Sequence, residues 1–138
     1  MIKMRGDEGD FNDIDTSDIE SMESLFLFNK TFNGDITGWN VSNVRNMSGM
    51  FWGATSFNQD ISKWKFPKVT DMGGMFYETS SFNQPIGDWE FPNVKNMEFM
   101  FKEATSFNQD LSEWDLKGKS TTDMFSNCPI KDEYKPKM

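Results

Sequence analysis

Apolar and polar positions along this chain recur with a fixed step. Trp39, Trp64, Trp89 and Trp114 lie 25 residues apart, and Phe32, Phe57, Phe82 and Phe107 keep the same spacing. Met47, Met72 and Met97 follow it, as do Met50, Met75 and Met100, each followed directly by Phe51, Phe76 or Phe101. A fixed period of about 20–50 residues marks an array of stacked repeats, in which each unit buries its apolar face only against its neighbours. Within a unit, Trp39-Asn40-Val41 reads apolar, polar, apolar, the alternation of a short strand with one buried face. Phe66 and Phe91 take the valine's place in the next two units, which a strand accepts. Met47, Met50, Phe51 and Ala54 then stand at i, i+3, i+4 and i+7, one face of a helix of about two turns. Ahead of that helix stands Ser21, Asn46, Asp71 or Asn96, all side chains able to accept from a free helix N–H. Gly49, Gly73 and Gly74 weaken such helices in isolation, so packing between units has to hold them.

The period extends beyond the tryptophans. A step of 25 back from Trp39 lands on Ile14, and Ile19, Met22, Leu25, Phe26, Phe32 and Ile36 fill the following apolar slots. Downstream, Trp114 and Leu116 open a fifth unit whose Met124-Phe125 arrive one residue early. The reading is one domain over residues 1–138, with repeats at 9–38, 39–63, 64–88, 89–113 and 114–127. Residues 128–138 form a C-terminal cap and tail, since the end units of arrays are atypical. Stacked strand–helix units predict an α/β solenoid with a short parallel sheet, its strands near 14–16, 39–41, 64–66, 89–91 and 114–116. Parallel strands joined by helical crossovers make that solenoid right-handed.

These residues carry a family resemblance. The stretch Trp-Asn-Val-Ser-Asn-Val-Arg-Asn-Met-Ser-Gly-Met-Phe over 39–51, and Ala-Thr-Ser-Phe-Asn-Gln-Asp-Ile-Ser over 54–62, resemble the bacterial DUF285 repeat, the repeat of BspA-like surface proteins. Residues 104–112 repeat the second stretch with Leu111 in place of the isoleucine. The resemblance covers roughly residues 9–130 and implies a leucine-rich-repeat-like solenoid with a protein-interaction or surface role. It implies no catalytic residues, and no cofactor is expected. Many members are long exported proteins, whereas this sequence shows no export signal and no recognisable N-terminal cap.

Composition narrows the chemistry. The 138 residues hold 14 Lys+Arg against 22 Asp+Glu, a net charge of -8 that phosphate backbones would repel, so nucleic acid is not an expected partner. There is no histidine, which removes Ser-His-Asp and Cys-His triads and His-ligated zinc. Cys128 stands alone, so neither an internal disulfide nor a cysteine-rich zinc site can form. The longest apolar run is Leu25 to Phe28, far short of the ~20 residues of a spanning helix, so no membrane insertion is expected. No secretory signal is visible, which points to the cytoplasm, while the family resemblance points to the cell surface or secretion.

Several columns of the repeat are candidates for function. The tryptophan column reads as core, with a sugar-stacking platform as the competing reading. Trp52 lies off the periodic slots, where other units have Leu27, Tyr77 and Lys102, and is the better single contact residue. The Asn33, Asn58, Asn83 and Asn108 amides are expected to bond to turn backbone. Asp35, Asp60 and Asp110 resemble a calcium column, but Pro85 interrupts it. The outward strand positions Asp15, Asn40, Lys65, Glu90 and Asp115 change from unit to unit, unlike the core slots. They make a ladder where a partner protein is recognised, against the alternative that they drift neutrally. Glu90 and Asp115, as register neighbours, would be the two acids of a glycoside hydrolase, but no cleft is legible around them. Cys128 reads as a packing residue.

The leading expectation is a non-enzymatic module that binds a partner protein through Asn40, Lys65, Glu90, Asp115 and Trp52; the alternative is a surface or adhesion element that binds host protein or glycan. The first unit presents Phe11, Ile14, Leu25 and Phe26 with no capping segment beyond residues 1–8, so either a monomer or an end-to-end dimer is expected.

Overall fold

The computed structural model describes residues 8–137. Of the N-terminal stretch without a recognisable cap, residues 1–7 lie outside the described residues. The chain forms layers that stack on one another at the 25-residue period. Residues 22, 24, 26 and 28 donate their backbone N–H groups to the carbonyls of Asn46, Ser48, Met50 and Trp52 at 2.8–3.0 Å. The same four bonds recur from residues 47, 49, 51 and 53, from 72, 74, 76 and 78, and from 97, 99, 101 and 103, each set reaching the following layer.

The layers are not strand–helix units, which corrects the α/β solenoid with a parallel sheet. Among the described residues the only helical element is a single 3-10 turn at Asp132–Tyr134, and parallel pairing is confined to isolated bridges. The segment read as a helix is a run of overlapping turns. Leu25, Leu27 and Asn29 N–H groups bond three residues back, to Met22, Ser24 and Phe26, while the intervening N–H groups leave for the next layer. In an α-helix every N–H points along one axis to residue i−4; here alternate ones point out of the turn. Two left-handed residues per layer enforce this. One column is Ser24, Gly49, Gly74, Phe99 and Asp123, with φ between 52° and 62°, and the other is Phe28, Gly53, Glu78, Glu103 and Asn127, with φ between 56° and 72°. A left-handed residue cannot continue a right-handed helix, and glycine adopts that conformation without the steric cost other residues carry.

The strands near 14–16, 39–41, 64–66, 89–91 and 114–116 are also absent; Trp39 and Trp64 N–H groups close turns onto Ile36 and Ile61. One bridge joins Asp10 to Asp35, and the others join Ser21, Asn46, Asp71, Asn96 and Ser120 in succession, the first four of these being the residues read as helix caps. Their capping bonds do form. The Oδ1 atoms of Asn46, Asp71 and Asn96 accept from the N–H two residues on at 2.8–2.9 Å, but they cap turns rather than helices.

The apolar columns fill the interior as the period requires. Trp39, Trp64, Trp89 and Trp114 are buried, as are the methionines at 47, 50, 72, 75, 97 and 100. Their indoles point away from solvent, and those of Trp39, Trp89 and Trp114 donate to the carbonyls of Phe11, Ile61 and Ile86. Phe26, Phe51, Phe76, Phe101 and Phe125 form one ring column at centroid spacings of 5.5–5.7 Å. Phe32, Phe57, Phe82 and Phe107 form a second at 6.0 Å. Offset stacking at these distances adds to area burial, so the two columns act as the mast of the fold.

Candidate functional site

The outward ladder lies at the surface: Asn40, Lys65, Glu90 and Asp115 are all exposed, though on irregular backbone rather than strands. Asn40 and Asp115 are partly occupied by their own backbone, each accepting from the N–H two residues on, of Ser42 and Lys117, at 2.9 and 3.0 Å. Glu90 and Asp115 border one open depression of about 350 Å³ with Glu113, Lys117 and Lys119. Lys119 is anchored there, its Nζ bonded to the Val94 carbonyl at 2.8 Å and 5.5 Å from the Phe91 ring centroid. Burial, aided by repulsion from Lys95, holds its pKa below the usual lysine value.

The asparagine column bonds backbone, but across layers rather than within a turn. Asn33, Asn58 and Asn83 Oδ1 atoms each accept from the N–H of the next asparagine at 2.9 Å, and Asn108 accepts from Lys131. Gln59, Gln84 and Gln109 clamp the same asparagines from the following layer. The aspartates are similarly engaged. Asp35, Asp60 and Asp110 accept from the backbone N–H of Thr37, Ser62 and Ser112. Among the described residues no group of three or more acidic or cysteine side chains is arranged to hold a metal ion. Cys128 is half-buried, with burial raising its thiol pKa.

Hydrogen bonds from the Ser or Thr two residues on, first from its hydroxyl and then from its N–H, hold the carboxyls of Asp15, Asp35, Asp60 and Asp110 below their ordinary pKa. A carboxyl lowered in the folded state contributes stability that is complete above its unfolded pKa and is lost as pH falls through the folded value. Melting temperature is therefore expected to drop as pH goes below the ordinary carboxylate value of 3.8. The Asp60→Asn/Asp110→Asn double variant is expected to show a shallower acid-side slope in a thermal titration; an unchanged slope would remove these carboxyls as its source.

Trp52 lies in a cluster of aromatic side chains at the surface. Its indole is stacked on Tyr77 at 4.7 Å with 6° between the planes, and Phe28 meets it edge-on at 6.0 Å. Tyr77 continues to Phe99 at 6.3 Å. Lys102 places its Nζ 5.5 Å from both the Tyr77 and the Phe99 ring centroids, within cation–π reach. Trp52, Tyr77, Phe99 and Lys102, with Ser48, Gly73, Gly74, Asn96 and Glu98, line a groove of about 370 Å³. Among the described residues the buried indole Nε1 of Trp52 has no hydrogen-bond partner. Sequence reasoning does not single out Tyr77, Phe99 and Lys102 as members of a site. Tyr77 and Lys102 share the Trp52 column, and Phe99 replaces glycine in the column of Gly49 and Gly74, so a departure from the repeat is their signal.

Residues 3–114 match the family described as Mycoplasma protein of unknown function, DUF285. The chain belongs to the DUF285 family. Searches of curated proteins and of solved structures returned no match. The aromatic groove, residues 48–102, lies inside the DUF285 segment, whereas the fifth layer, beyond Trp114, lies outside it. That layer nevertheless accepts the same four backbone bonds as the DUF285 layers before it.

Proposed function

We propose that this DUF285 chain is a non-enzymatic interaction module that grips a polypeptide segment of a partner protein in the Trp52–Tyr77–Phe99 groove. One observation carries the reading. The repeat dictates the buried columns, yet at the positions of Trp52, Tyr77 and Phe99 it departs from its own pattern to place three large rings at the surface, side by side. Half-exposed aromatics clustered round a concavity are the usual anchors of protein recognition. Trp52 and Tyr77 turn their faces against each other, so the pair offers an apolar wall rather than the open ring face on which a sugar stacks. The occupant is a bulky apolar side chain, flanked by basic residues that answer Glu98 and the net charge of -8. None of the ladder residues Asn40, Lys65, Glu90 and Asp115 lines this groove.

Panning a random peptide display library on the protein tests this. The enriched sequences are expected to share one large apolar residue beside lysine or arginine, and to lose at least about tenfold in affinity, or 1.4 kcal/mol, against Trp52→Ala/Tyr77→Ala. Lys65→Glu/Glu90→Lys is expected to change affinity by much less. Failure to enrich any motif, or equal binding to the groove variant with its melting transition intact, would overturn the proposal.

A further inference from the structure

The first and the last described layers carry complementary halves of the bond set that joins each described pair of layers. In each internal junction four N–H groups of one layer meet four carbonyls of the next. At the first layer the corresponding carbonyls are those of Ser21, Glu23, Leu25 and Leu27, and among the described residues none of them accepts a hydrogen bond. At the fifth layer the corresponding donors are the N–H groups of Thr121, Asp123, Phe125 and Asn127, and among the described residues none of them is engaged.

The side chains repeat the asymmetry. Leu25 occupies the column of Met50, Met75 and Met100, all fully buried, yet it is 43% exposed, and Leu27 is 39% exposed. Ile14 and Ile19, in the columns of Trp39 and Val44, are only half-covered. Among the described residues Phe125 ends the ring column, with a partner on one side, Phe101. Charge is also opposed. Residues 8–30 hold seven acids against Lys30 alone, while residues 114–137 hold five lysines against four acids.

We infer that the first-layer face docks on the fifth-layer face of a second copy of this chain. The four carbonyls of one copy accept from the four N–H groups of the other, so the junction reproduces the layer-to-layer contact and covers Leu25 and Phe125 together. The two faces differ, so the contact is heterologous and head-to-tail, and it propagates into an open chain of copies rather than a closed pair. Unpaired backbone edges of this kind are templates for such pairing, and opposed end charges set its polarity.

Sedimentation of the 138-residue protein over a concentration series, alone and as variants, tests the inference. The wild type is expected to rise continuously from 16.0 kDa through its multiples as concentration increases. Leu25→Glu/Leu27→Glu blocks the head, and Thr122→Glu/Lys131→Glu blocks the tail; Glu98 already stands one layer before Thr122, so the layer tolerates the acid. Each variant alone is expected to remain monomeric. An equal mixture is expected to form a dimer and stop there, because one intact head meets one intact tail. A wild type that stays monomeric up to its solubility limit, a closed dimer that grows no further, or blocked variants that assemble like the wild type would each overturn the inference.

Discussion

Replacing Phe76 by alanine will lower the unfolding free energy by about 3–5 kcal/mol, the range for deleting a buried aromatic ring. Phe76 has no exposed surface. Its ring lies 5.6 Å from Phe51, 5.5 Å from Phe101 and 4.2 Å from Phe82, with Trp89 at 6.1 Å. Collapse into the void is opposed from both sides, because the layers above and below are pinned by Phe51 N–H to Met75 at 3.0 Å and Phe76 N–H to Met100 at 2.9 Å. A cavity that cannot relax costs the most. Phe125→Ala is the internal comparison. That ring has a single stacked neighbour, Phe101 at 5.6 Å, and is half-exposed, so its loss is expected to be less than half as large. Urea unfolding of both variants reads the difference in midpoint at constant slope. Equal losses would mean that the ring column does not bind the layers together.

The period is legible because burial is a demand of the whole stack. Every 25th residue meets the same environment, so Trp39, Met47, Phe51 and Phe57 repeat, and their repetition alone identifies the interior. The local elements are not legible for an equally physical reason. Spacings of three and four residues between Met47, Met50, Phe51 and Ala54 fit a helix, but they also fit overlapping turns that bring the same side chains inward. What separates the two is the direction of alternate N–H groups, and the hydrophobic pattern does not encode it. Gly49 and Gly74 hold the clue. Read by propensity they are merely weak helix residues; read as a column with φ near 60° they mark a left-handed corner, which Ser24, Phe99 and Asp123 share. Tertiary bonding of the backbone overrides local preference. The Asn46 column shows the same substitution: the capping acceptor is legible and its hydrogen bond exists, but the N–H it satisfies belongs to a turn.

The candidate site is half legible. Trp52 stands out because it breaks the column of Leu27, Tyr77 and Lys102, whereas its partnership with Tyr77, Phe99 and Lys102 follows only once the layers are stacked. Residues 25 apart in sequence become neighbours a single layer away, so a surface on such a stack is written across repeats rather than along one. The ladder of Asn40, Lys65, Glu90 and Asp115 follows from that logic and is exposed as a set, but its members lie on irregular backbone, and two of them commit an oxygen to their own backbone.

A second large effect is expected where the repeat departs from itself in the interior of a junction. In three layers an aspartate is followed two residues later by a hydroxyl residue whose N–H it accepts: Asp35 with Thr37, Asp60 with Ser62, and Asp110 with Ser112. In the remaining full layer the pair is Pro85 and Gly87. The proline side chain offers no acceptor, and the chain there runs so close to the next layer that a Cβ on Gly87 would fall inside the van der Waals envelope of the Asp110 carbonyl oxygen. That oxygen is backbone and cannot swing aside. Gly87→Ser alone is therefore expected to cost about 2–3 kcal/mol, the upper part of the range for overpacking. The double variant Pro85→Asp/Gly87→Ser restores the acceptor and lets the segment take the course of its neighbours, so it is expected to recover most of that loss. The favourable coupling is the informative quantity, since residues that share one turn are the ones whose effects fail to add. Additive losses in a double-mutant cycle would show that Pro85 and Gly87 are independent accidents rather than one turn exchanged for another.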